Sequence, residues 1–387
     1  MKEVVKWHMS ERFKDFTLLV GSIFIFLVLL EVVMRMFYSI PPPTMDEFSL
    51  RKSNYYQKDD ELWWVPGNNI HGVHNKHGSF ETTFNTNSRG IRDKEYSLNK
   101  PRGIQRIVVM GDSYTWGFGV NDSEVYTERL EAILPDTEVI NLGVTSYAIW
   151  QEILYLKREG VQYGPDVVIL GFCLNDIVWG KDRSEVSDRK KKTVLKQADI
   201  FNITEFIKKN ILYKSSLYQF IIDRVYTSKQ LVKALIYLGL RGPLKGFADL
   251  NVDLQLSLQN YPDIVGKWWS LTEAELIELK QLASDRGIRF IVAVIPSPLA
   301  MDEVRFKHEI SQSIFDAKEF DLDKPYRQMD NFATANNIEM INPVSVFRQR
   351  SKEGISLYLK RDMHLNPAGH DLLAQSIAEY LSTRKMQ

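Results

Sequence analysis

Apolar and polar positions follow two different patterns along this chain. Near the N-terminus, an almost unbroken apolar run extends from Phe16 to Leu30 and continues to Tyr38. From Ile104 onward, apolar runs of strand length alternate with segments that have the periodicity of amphipathic helices. The first pattern is typical of a membrane-spanning helix, and the second of βαβ units in a mostly parallel sheet. We therefore expect an α/β domain behind an N-terminal transmembrane helix.

The N-terminal run needs its extension to span a bilayer, because a spanning helix takes about 20 residues. The extension contains Glu31 and Arg35, which are four positions apart and can pair or snorkel. Arg35 is the only basic residue among the fifteen that follow Leu30, whereas four precede the run: Lys2, Lys6, Arg12 and Lys14. This bias predicts a single-pass anchor with a cytoplasmic N-terminus and an extracytoplasmic C-terminal domain. A cleaved signal peptide would need a small-x-small cleavage site after the apolar run, and the sequence has none there. The remaining alternative is a buried helix of a soluble protein.

Five apolar runs predict the strands of the sheet. They begin at Ile104, Glu138, Val167, Phe290 and Glu339, and the first four end close to polar, glycine or proline positions. The predicted helices between and after them are about Ser123–Leu134, Tyr147–Glu159, Leu271–Asp285, a helix before Asn336 and a helix after Pro367. Ser270 and Glu273 have the spacing of a capping box and predict the start of the third helix.

These patterns predict three regions. Residues 1–40 form the cytoplasmic tip and anchor, residues 41–103 a linker and N-terminal extension, and residues 104–387 the α/β domain. The linker starts at Pro41-Pro42-Pro43, and hairpins are expected between Asn54 and Asn99. The α/β domain is interrupted by an insert of about 181–267, with a basic run at 189–196 and apolar helical stretches at 211–222 and 230–240. Three placements of the insert stay open: a cap over the active edge of the sheet, a satellite core, or the membrane surface.

Composition excludes several classes of function. The formal net charge is zero, which argues against nucleic acid as a partner. The single cysteine, Cys173, excludes an intramolecular disulfide and a cysteine-based zinc cluster. His71, His74 and His77 recur every third residue in a Gly- and Asn-rich segment, where we expect a polar turn rather than a metal site. We expect no metal and no cofactor, and the sequence does not fix the oligomeric state.

Polar or glycine residues follow three of the predicted strands, at the sheet edge where open α/β folds bind ligands. Ser113 ends the first strand, Gly143 the second and Asn175 the third, and near the C-terminus come Asp362 and His364. Acyl transfer through serine needs a base, a carboxylate that orients it, and donors for the oxyanion. Ser113 would be the nucleophile, His364 the base and Asp362 the acid, with the Ser113 and Gly143 N–H groups and the Asn175 amide as donors. We expect Asp112 to stabilise the turn through its backbone, and Asp176 and His370 to be structural.

These blocks resemble the SGNH (GDSL-type) hydrolase family. The likeness lies in Gly111-Asp112-Ser113, Asn141-Leu142-Gly143, Asn175-Asp176, and Asp362 with His364, over about 104–176 and 271–381. It implies a flavodoxin-like three-layer α/β/α sandwich with strand order 2-1-3-4-5, and ester hydrolysis or acyl transfer without a metal. The segment Asn87–Arg92 is also similar to membrane-anchored bacterial members linked to surface polysaccharides. Two positions depart from the family pattern: Cys173 replaces a glycine, and the acid is expected where Arg361 stands, one residue before Asp362.

Three functions remain. The first is a serine esterase that removes acyl groups, acetyl above all, from a surface carbohydrate or lipid. The second is an O-acyltransferase that uses the same serine to modify a surface polysaccharide, with the insert and Trp268-Trp269 as walls of an acceptor pocket. The third is a non-catalytic anchored assembly protein, against which the complete set of site residues argues.

Overall fold

The computed structural model describes residues 2–37, 55–76, 79–179, 215–217, 220, 230, 234, 250–311, 313, 315–360 and 362–384. Contacts between Cα atoms divide the chain into two compact units. One unit combines Met1–Pro43 with Asp188–Pro243, and the other combines Thr44–Ser187 with Leu244–Gln387. The proline linker, the basic run at 189–196 and almost all of the apolar stretches at 211–222 and 230–240 lie outside the described residues, so the predicted domain boundaries stay predictions.

The first unit contains helix α1, Lys2–Phe37. Its segment Thr17–Met36 has a mean hydropathy of 2.6 and is unburied, and among the described residues it is the one helix long and apolar enough to cross a membrane. The expected pairing of Glu31 with Arg35 is confirmed at 2.8 Å. Glu31 also accepts hydrogen bonds from the Ser215 hydroxyl, at 2.6 Å, and from the Ser216 backbone N–H, at 3.0 Å. A segment of the predicted insert therefore contacts the apolar N-terminal helix.

The second unit is built on a parallel sheet of five strands. The strands are β5 Gln105–Gly111, β6 Thr137–Asn141, β7 Val167–Phe172, β8 Arg289–Val294 and β9 Glu339–Ile341. Their order is β6-β5-β7-β8-β9, and all neighbouring pairs are parallel. Every residue of β7 is buried, as expected for a strand covered on both faces. The predicted parallel sheet and its strand order 2-1-3-4-5 are confirmed.

Helices cover the sheet in two groups. The helices after the first strands are α2 Ser113–Trp116, α3 Tyr126–Ile133, α4 Ile149–Arg158 and α5 Leu174–Trp179, and the later ones are α6 Val252–Ser257, α7 Asp263–Ser284, α8 Pro298–Met301, α9 Glu303–Ser311, α10 Lys324–Ala335, α11 Val344–Lys352 and α12 Pro367–Arg384. Helix α3 packs on β6 and against α12, which also reaches β9. Helix α7 packs on β8 and against α4 and α5. This arrangement agrees with a three-layer α/β/α sandwich.

Two antiparallel hairpins precede the sheet. Strand β1, Tyr56–Asp59, pairs with β2, Trp63–Pro66, and strand β3, His71–Lys76, pairs with β4, Phe80–Asn85. The expectation of a polar turn at His71 and His74 is wrong, because both residues belong to β3. Side chains alternate along a strand, so His71 is exposed while His74 is buried against the rings of Phe84, Trp116 and Phe118. His77 lies outside the described residues.

The predicted start of the helix at Leu271 is also wrong. Helix α7 begins at Asp263, two turns earlier, directly after Pro262. The Ser270 hydroxyl donates to the Gly266 carbonyl at 3.0 Å, so it lies within the helix and does not cap it. Residues from Leu250 onward, such as Leu254 and Val265, are buried in the hydrophobic core of this unit. The C-terminal end of the predicted insert is therefore core material.

Candidate active site

Ser113 occupies the end of β5 as the first residue of the short helix α2. The N–H groups of a first helical turn have no partners within the helix and must find others. One oxygen of the Asp112 carboxylate accepts the Tyr114 N–H at 2.9 Å, so the side chain of Asp112 caps this helix. The expectation that Asp112 acts only through its backbone is therefore wrong. The result is a buried serine with a fixed position at the carboxyl edge of the sheet.

Glycine 143 lets helix α2 lie close to the end of strand β6. A Cβ atom at Gly143 would lie 2.7 Å from the Thr115 carbonyl carbon and closer still to the Trp116 backbone nitrogen. Any larger side chain would therefore displace the backbone of helix α2, which carries Ser113. The N–H of Gly143 donates to Asn141 Oδ1 at 3.0 Å, so this expected oxyanion donor has a partner within its own loop.

The structure brings together Ser113, His364 and Asp362. Ser113 Oγ lies 2.8 Å from His364 Nε2, and His364 Nδ1 lies 2.6 Å from Asp362 Oδ1. Asp362 Oδ1 also accepts the backbone N–H of His364 at 3.0 Å. An ionised carboxylate can only accept, so Nδ1 carries the proton and Nε2 of the neutral ring can accept from the serine. This arrangement has the geometry of a nucleophile, a base and an orienting acid.

The Asp362 carboxylate remains ionised despite its burial. Burial raises the pKa of this group, but the hydrogen bond and charge of His364, followed by Lys76, outweigh burial and hold the pKa well below its usual value. Lys76 Nζ lies 2.5 Å from Asp362 Oδ2, the oxygen that does not face His364. Both oxygens of the acid are therefore engaged, one by the base and one by a cation from strand β3.

Asn175 reaches the same place from the start of α5. Its Nδ2 donates to Asp112 Oδ2 at 2.7 Å, and Ser113 Oγ lies 3.4 Å from that same oxygen. The amide nitrogen carries two hydrogens, which leaves a second one for an oxyanion. The amide orientation is fixed by the Cys173 thiol, which donates to Asn175 Oδ1 at 2.5 Å. Burial and then the charges of Asp112 and Asp176 raise the pKa of Cys173, which favours the thiol as a hydrogen-bond donor.

Aromatic rings and a buried arginine hold the histidine. The ring of Phe118 lies 4.6 Å from that of His364, and the ring of Tyr114 lies 4.7 Å from it. Arg92 donates to the backbone carbonyls of Trp116 at 2.9 Å and Val120 at 2.7 Å, on either side of Phe118. The segment Asn87–Arg92 thus supports the loop that carries a wall of the site.

Two buried acids and a cysteine form a cluster next to Ser113. Ligand atoms of Asp112, Cys173 and Asp176 lie within 4.8 Å of one another, the spacing at which such groups can hold a metal ion. Asp176 Oδ2 accepts the Cys173 N–H at 2.9 Å, and burial together with the Asp112 charge raises the pKa of Asp176. Metal ligands must be deprotonated, whereas this environment favours the protonated forms of Cys173 and Asp176. The cluster therefore fits a hydrogen-bonded scaffold better than a metal site. The other residue expected to be structural, His370, is buried and accepts the Tyr126 N–H at 3.2 Å.

Ser113, Asp362 and His364 line a cleft of about 1210 Å³. Its lining also includes polar side chains of α6 and α9 and of the residues directly before them: Asn251, Asp253, Asp302, Arg305, His308 and Glu309. Burial raises the pKa of Asp253 to about 6, against a hydrogen bond from Ser297 and with a contribution from the charge of Glu309. The cleft is therefore large and lined partly by groups that can hydrogen-bond a polar substrate.

The sequence did not point to Lys76, Phe118, Tyr114 or Arg92 as parts of this site. Lys76 lies 286 positions before Asp362, and the two meet only through the fold. The one signal for any of them was the segment Asn87–Arg92, which is similar to other family members. That likeness singled out the segment but did not show what Arg92 contacts.

Two family models match consecutive parts of the chain. The GDSL-like lipase/acylhydrolase family matches residues 109–255, and the SGNH hydrolase-like domain of the acetyltransferase AlgX matches residues 270–387. No curated protein sequence matches the chain.

Solved structures of GDSL-type enzymes are similar to this chain at low identity. A member of the lipolytic G-D-S-L family from Veillonella parvula is 14% identical, covering 72% of this chain and 98% of its own, with a TM-score of 0.38. The lipase/acylhydrolase from Enterococcus faecalis is 14% identical, with coverages of 73% and 97% and a TM-score of 0.37. The acetyl xylan esterase AlAXEase is 13% identical, with coverages of 71% and 99% and a TM-score of 0.37.

The family assignment rests on the two family models, and the fold on the strand order described above. Ser113 lies within the first matched segment, and Asp362 and His364 lie within the second. The matched residues 109–255 and 270–387 are therefore those of a GDSL-like, or SGNH, hydrolase domain, that is, of an ester-acting hydrolase or acyltransferase.

Proposed function

We propose that this protein is a serine esterase that removes acyl groups, acetyl above all, from a cell-surface carbohydrate or lipid. The observation that carries this proposal is the continuous contact from Ser113 Oγ through His364 to Asp362, at 2.8 Å and 2.6 Å. Each distance is within the range for a nucleophile, its base and the group that orients the base.

The reaction follows from these contacts. His364 Nε2 takes the proton of Ser113 while Oγ attacks the carbonyl carbon of the ester, and the carbonyl oxygen becomes an oxyanion. Collapse of this intermediate breaks the bond to the alcohol, which leaves with the proton from His364. Water then attacks the acyl carbon and gives a proton to His364, the bond from that carbon to Ser113 Oγ breaks, Oγ takes the proton back from His364, and the acid product leaves. Ionised Asp362 stabilises the imidazolium that forms in both halves.

The oxyanion requires donors near 3 Å from the developing charge. The Ser113 N–H at the first position of α2 and the second hydrogen of Asn175 Nδ2 supply two. The Gly143 N–H can supply a third only if it leaves Asn141 Oδ1, its present acceptor. We therefore assign the main oxyanion role to Ser113 and Asn175, and a conditional one to Gly143.

The second candidate is an O-acyltransferase that passes the same acyl group to a polysaccharide hydroxyl. The match of residues 270–387 to the SGNH hydrolase-like domain of an acetyltransferase favours it. The cleft of 1210 Å³ with polar side chains from α9 also suits a sugar acceptor, which must be oriented while water is kept out. Hydrolysis remains the first proposal, because it needs only the residues already in contact.

The proposed location is the far side of a membrane, with α1 as an uncleaved single-pass anchor. The apolar segment Thr17–Met36 supports this placement, as does the excess of basic residues before it. A phosphatase reporter fused after Asp46 should be active in intact cells. Activity of a cytoplasmic reporter at the same fusion point would reverse the orientation.

A fluorophosphonate probe and acetyl-ester assays test the chemistry on the full-length protein in detergent. The wild type should be labelled and should hydrolyse a small acetyl ester, whereas Ser113→Ala and His364→Ala should each lose labelling and turnover. Asp362→Asn should lose as much or less, and the double variant of Ser113 and His364 should be no worse than either single one.

His71→Ala is a matched control for His364→Ala, because His71 is exposed on β3. It should keep full turnover. An active His364→Ala variant together with an inactive His370→Ala variant would refute the assignment of the base. Faster acetylation of an added glycan than hydrolysis of the donor would replace esterase by transferase.

A further inference from the structure

We propose that Lys76 is a positioning residue, which holds the Asp362 carboxylate and extends the action of His364 as a base to lower pH. This inference rests on the proposed function, since it concerns the same catalytic group. Nothing in the family blocks at Ser113, Gly143, Asn175 and His364 includes Lys76, which lies in the N-terminal hairpin of β3 and β4.

The contacts of Asp362 divide between its two oxygens. Oδ1 accepts both the ring N–H and the backbone N–H of His364, at 2.6 Å and 3.0 Å. Oδ2 lies 2.5 Å from Lys76 Nζ. The carboxylate side chain is 5% exposed and that of Lys76 is 26% exposed, so the pair is shielded from water and salt more than a surface ion pair. Lys76 thus fixes the rotation of the carboxylate that directs Oδ1 toward the base.

The hairpin that carries Lys76 is fastened to the catalytic loops at several points. The Ser79 hydroxyl donates to the Lys360 carbonyl at 2.5 Å, two residues before Asp362. The Phe80 ring packs edge-on against Phe118 at 5.4 Å, and Phe118 in turn packs against His364. The position of Lys76 is therefore set by contacts on both sides of the His364 loop.

The charge of Lys76 acts on the base through the acid. An isolated carboxylate beside an imidazole strongly favours the imidazolium form, which cannot accept a proton from serine. With Lys76 on the outer oxygen, the negative charge of Asp362 is shared between two cations, and it stabilises the imidazolium less. Removing the charge of Lys76 should therefore keep His364 protonated up to a higher pH.

Other charged groups also face the triad and must be held constant. Asp112 lies near Ser113 Oγ, and the Arg305 guanidinium of α9 donates to the Asp362 carbonyl at 2.8 Å. His370 is buried, and burial together with the charges of Arg92 and His364 lowers its pKa to about 3, so it is neutral. The remaining charged groups belong to the His364 loop and the cleft wall: Lys360, Asp253, Asp302, His308 and Glu309. They are unchanged when Lys76 is substituted, so a shift between variants reports Lys76 itself.

The experiment is the pH profile of kcat/KM for a small acetyl ester, measured with the full-length protein in detergent. Lys76→Met and Lys76→Gln remove the charge, and Lys76→Arg retains it. Lys100→Met is the matched control, because Lys100 also pairs with an aspartate, Asp166, at 2.6 Å. Asp166 comes directly before the first residue of β7, at the end of that strand away from Ser113. Fluorophosphonate labelling at high pH establishes that each variant is folded with an intact serine.

We expect the acid limb of the Lys76→Met and Lys76→Gln profiles to move up by about one pH unit, which is a loss of about tenfold in kcat/KM below the limb. Lys76→Arg and Lys100→Met should follow the wild type. A uniform loss of kcat/KM at every pH would mean that Lys76 is only structural, which would overturn the proposal. An acid limb that does not move in a variant that is still labelled would overturn it equally. An inactive, unlabelled wild type would instead refute the proposed function.

Discussion

Substitution of Gly143 by alanine tests how closely helix α2, which begins at Ser113, must lie against the end of strand β6. The added Cβ would lie 2.7 Å from the Thr115 carbonyl carbon, whereas ordinary van der Waals contact begins near 3.4 Å. The opposing atoms are backbone, which cannot rotate away as a side chain can. Helix α2, which carries Ser113, must therefore shift by about 0.7 Å or more. A misplacement of about 1 Å can cost about 100-fold in rate, so we expect kcat/KM to fall by about that factor.

The assay is hydrolysis of a small acetyl ester, with thermal unfolding measured in parallel. Overpacking of this kind costs about 1–3 kcal/mol, so the Gly143→Ala variant should unfold at a lower temperature but remain folded at 25 °C. The control is Gly266→Ala in helix α7, where nothing lies within 4 Å of an added Cβ. It should keep full activity and gain a little stability. If kcat/KM of the Gly143→Ala variant is within threefold of the wild type, activity does not depend on the close contact between Gly143 and helix α2, and the reasoning is refuted.

Two further predictions concern Cys173, which contacts Asn175, and Glu275, a half-buried acid on helix α7. Cys173→Ala should lower kcat about tenfold with little change in KM, because the Asn175 amide loses the thiol that orients it. Cys173→Ser retains a hydrogen-bond donor and should lose less, and equal kinetics of the two variants would contradict this role of the thiol. Burial and then the Glu278 charge raise the pKa of Glu275 from 4.5 to about 7, so the fold favours the neutral acid and loses stability as the pH rises between those values. Glu275→Gln should therefore add about 3 kcal/mol at pH 8 and almost nothing below pH 4.5, as measured by urea unfolding at both pH values; a gain independent of pH would contradict it.

The central strands of the sheet could be predicted from the sequence because they are covered on both faces. Strand β7 was expected and found at Val167–Phe172, and all of its residues are buried. Fully buried strands are continuous apolar runs whose ends coincide with the polar residues that follow. The polar residues at those ends include Asn175, so the same pattern that predicted the sheet also predicted where its site residues lie.

The start of helix α7 could not be predicted from its local capping pattern. Ser270 and Glu273 have the spacing of a capping box, but the helix had already begun at Asp263. Val265, Trp269, Thr272 and Leu276 are buried on one stripe that runs through the false start. Periodicity over three turns is the stronger signal, because burial of a whole face stabilises a helix more than a single cap.

The two departures from the family pattern show why the rest required coordinates. Cys173 replaces a glycine, yet its thiol contacts the Asn175 amide at 2.5 Å and fixes its orientation. Asp362 lies one residue from the expected acid position, where Arg361 stands outside the described residues, yet it meets the base at 2.6 Å and is held on its other oxygen by Lys76. In both cases a contact made by the fold fixes a group that the motif alone leaves free to rotate. A motif specifies the residue types of the catalytic blocks but not the further side chains that contact them, such as Cys173 and Lys76. Substitutions at these contacting residues can therefore change the rate and the pH range of related enzymes while the catalytic blocks stay the same.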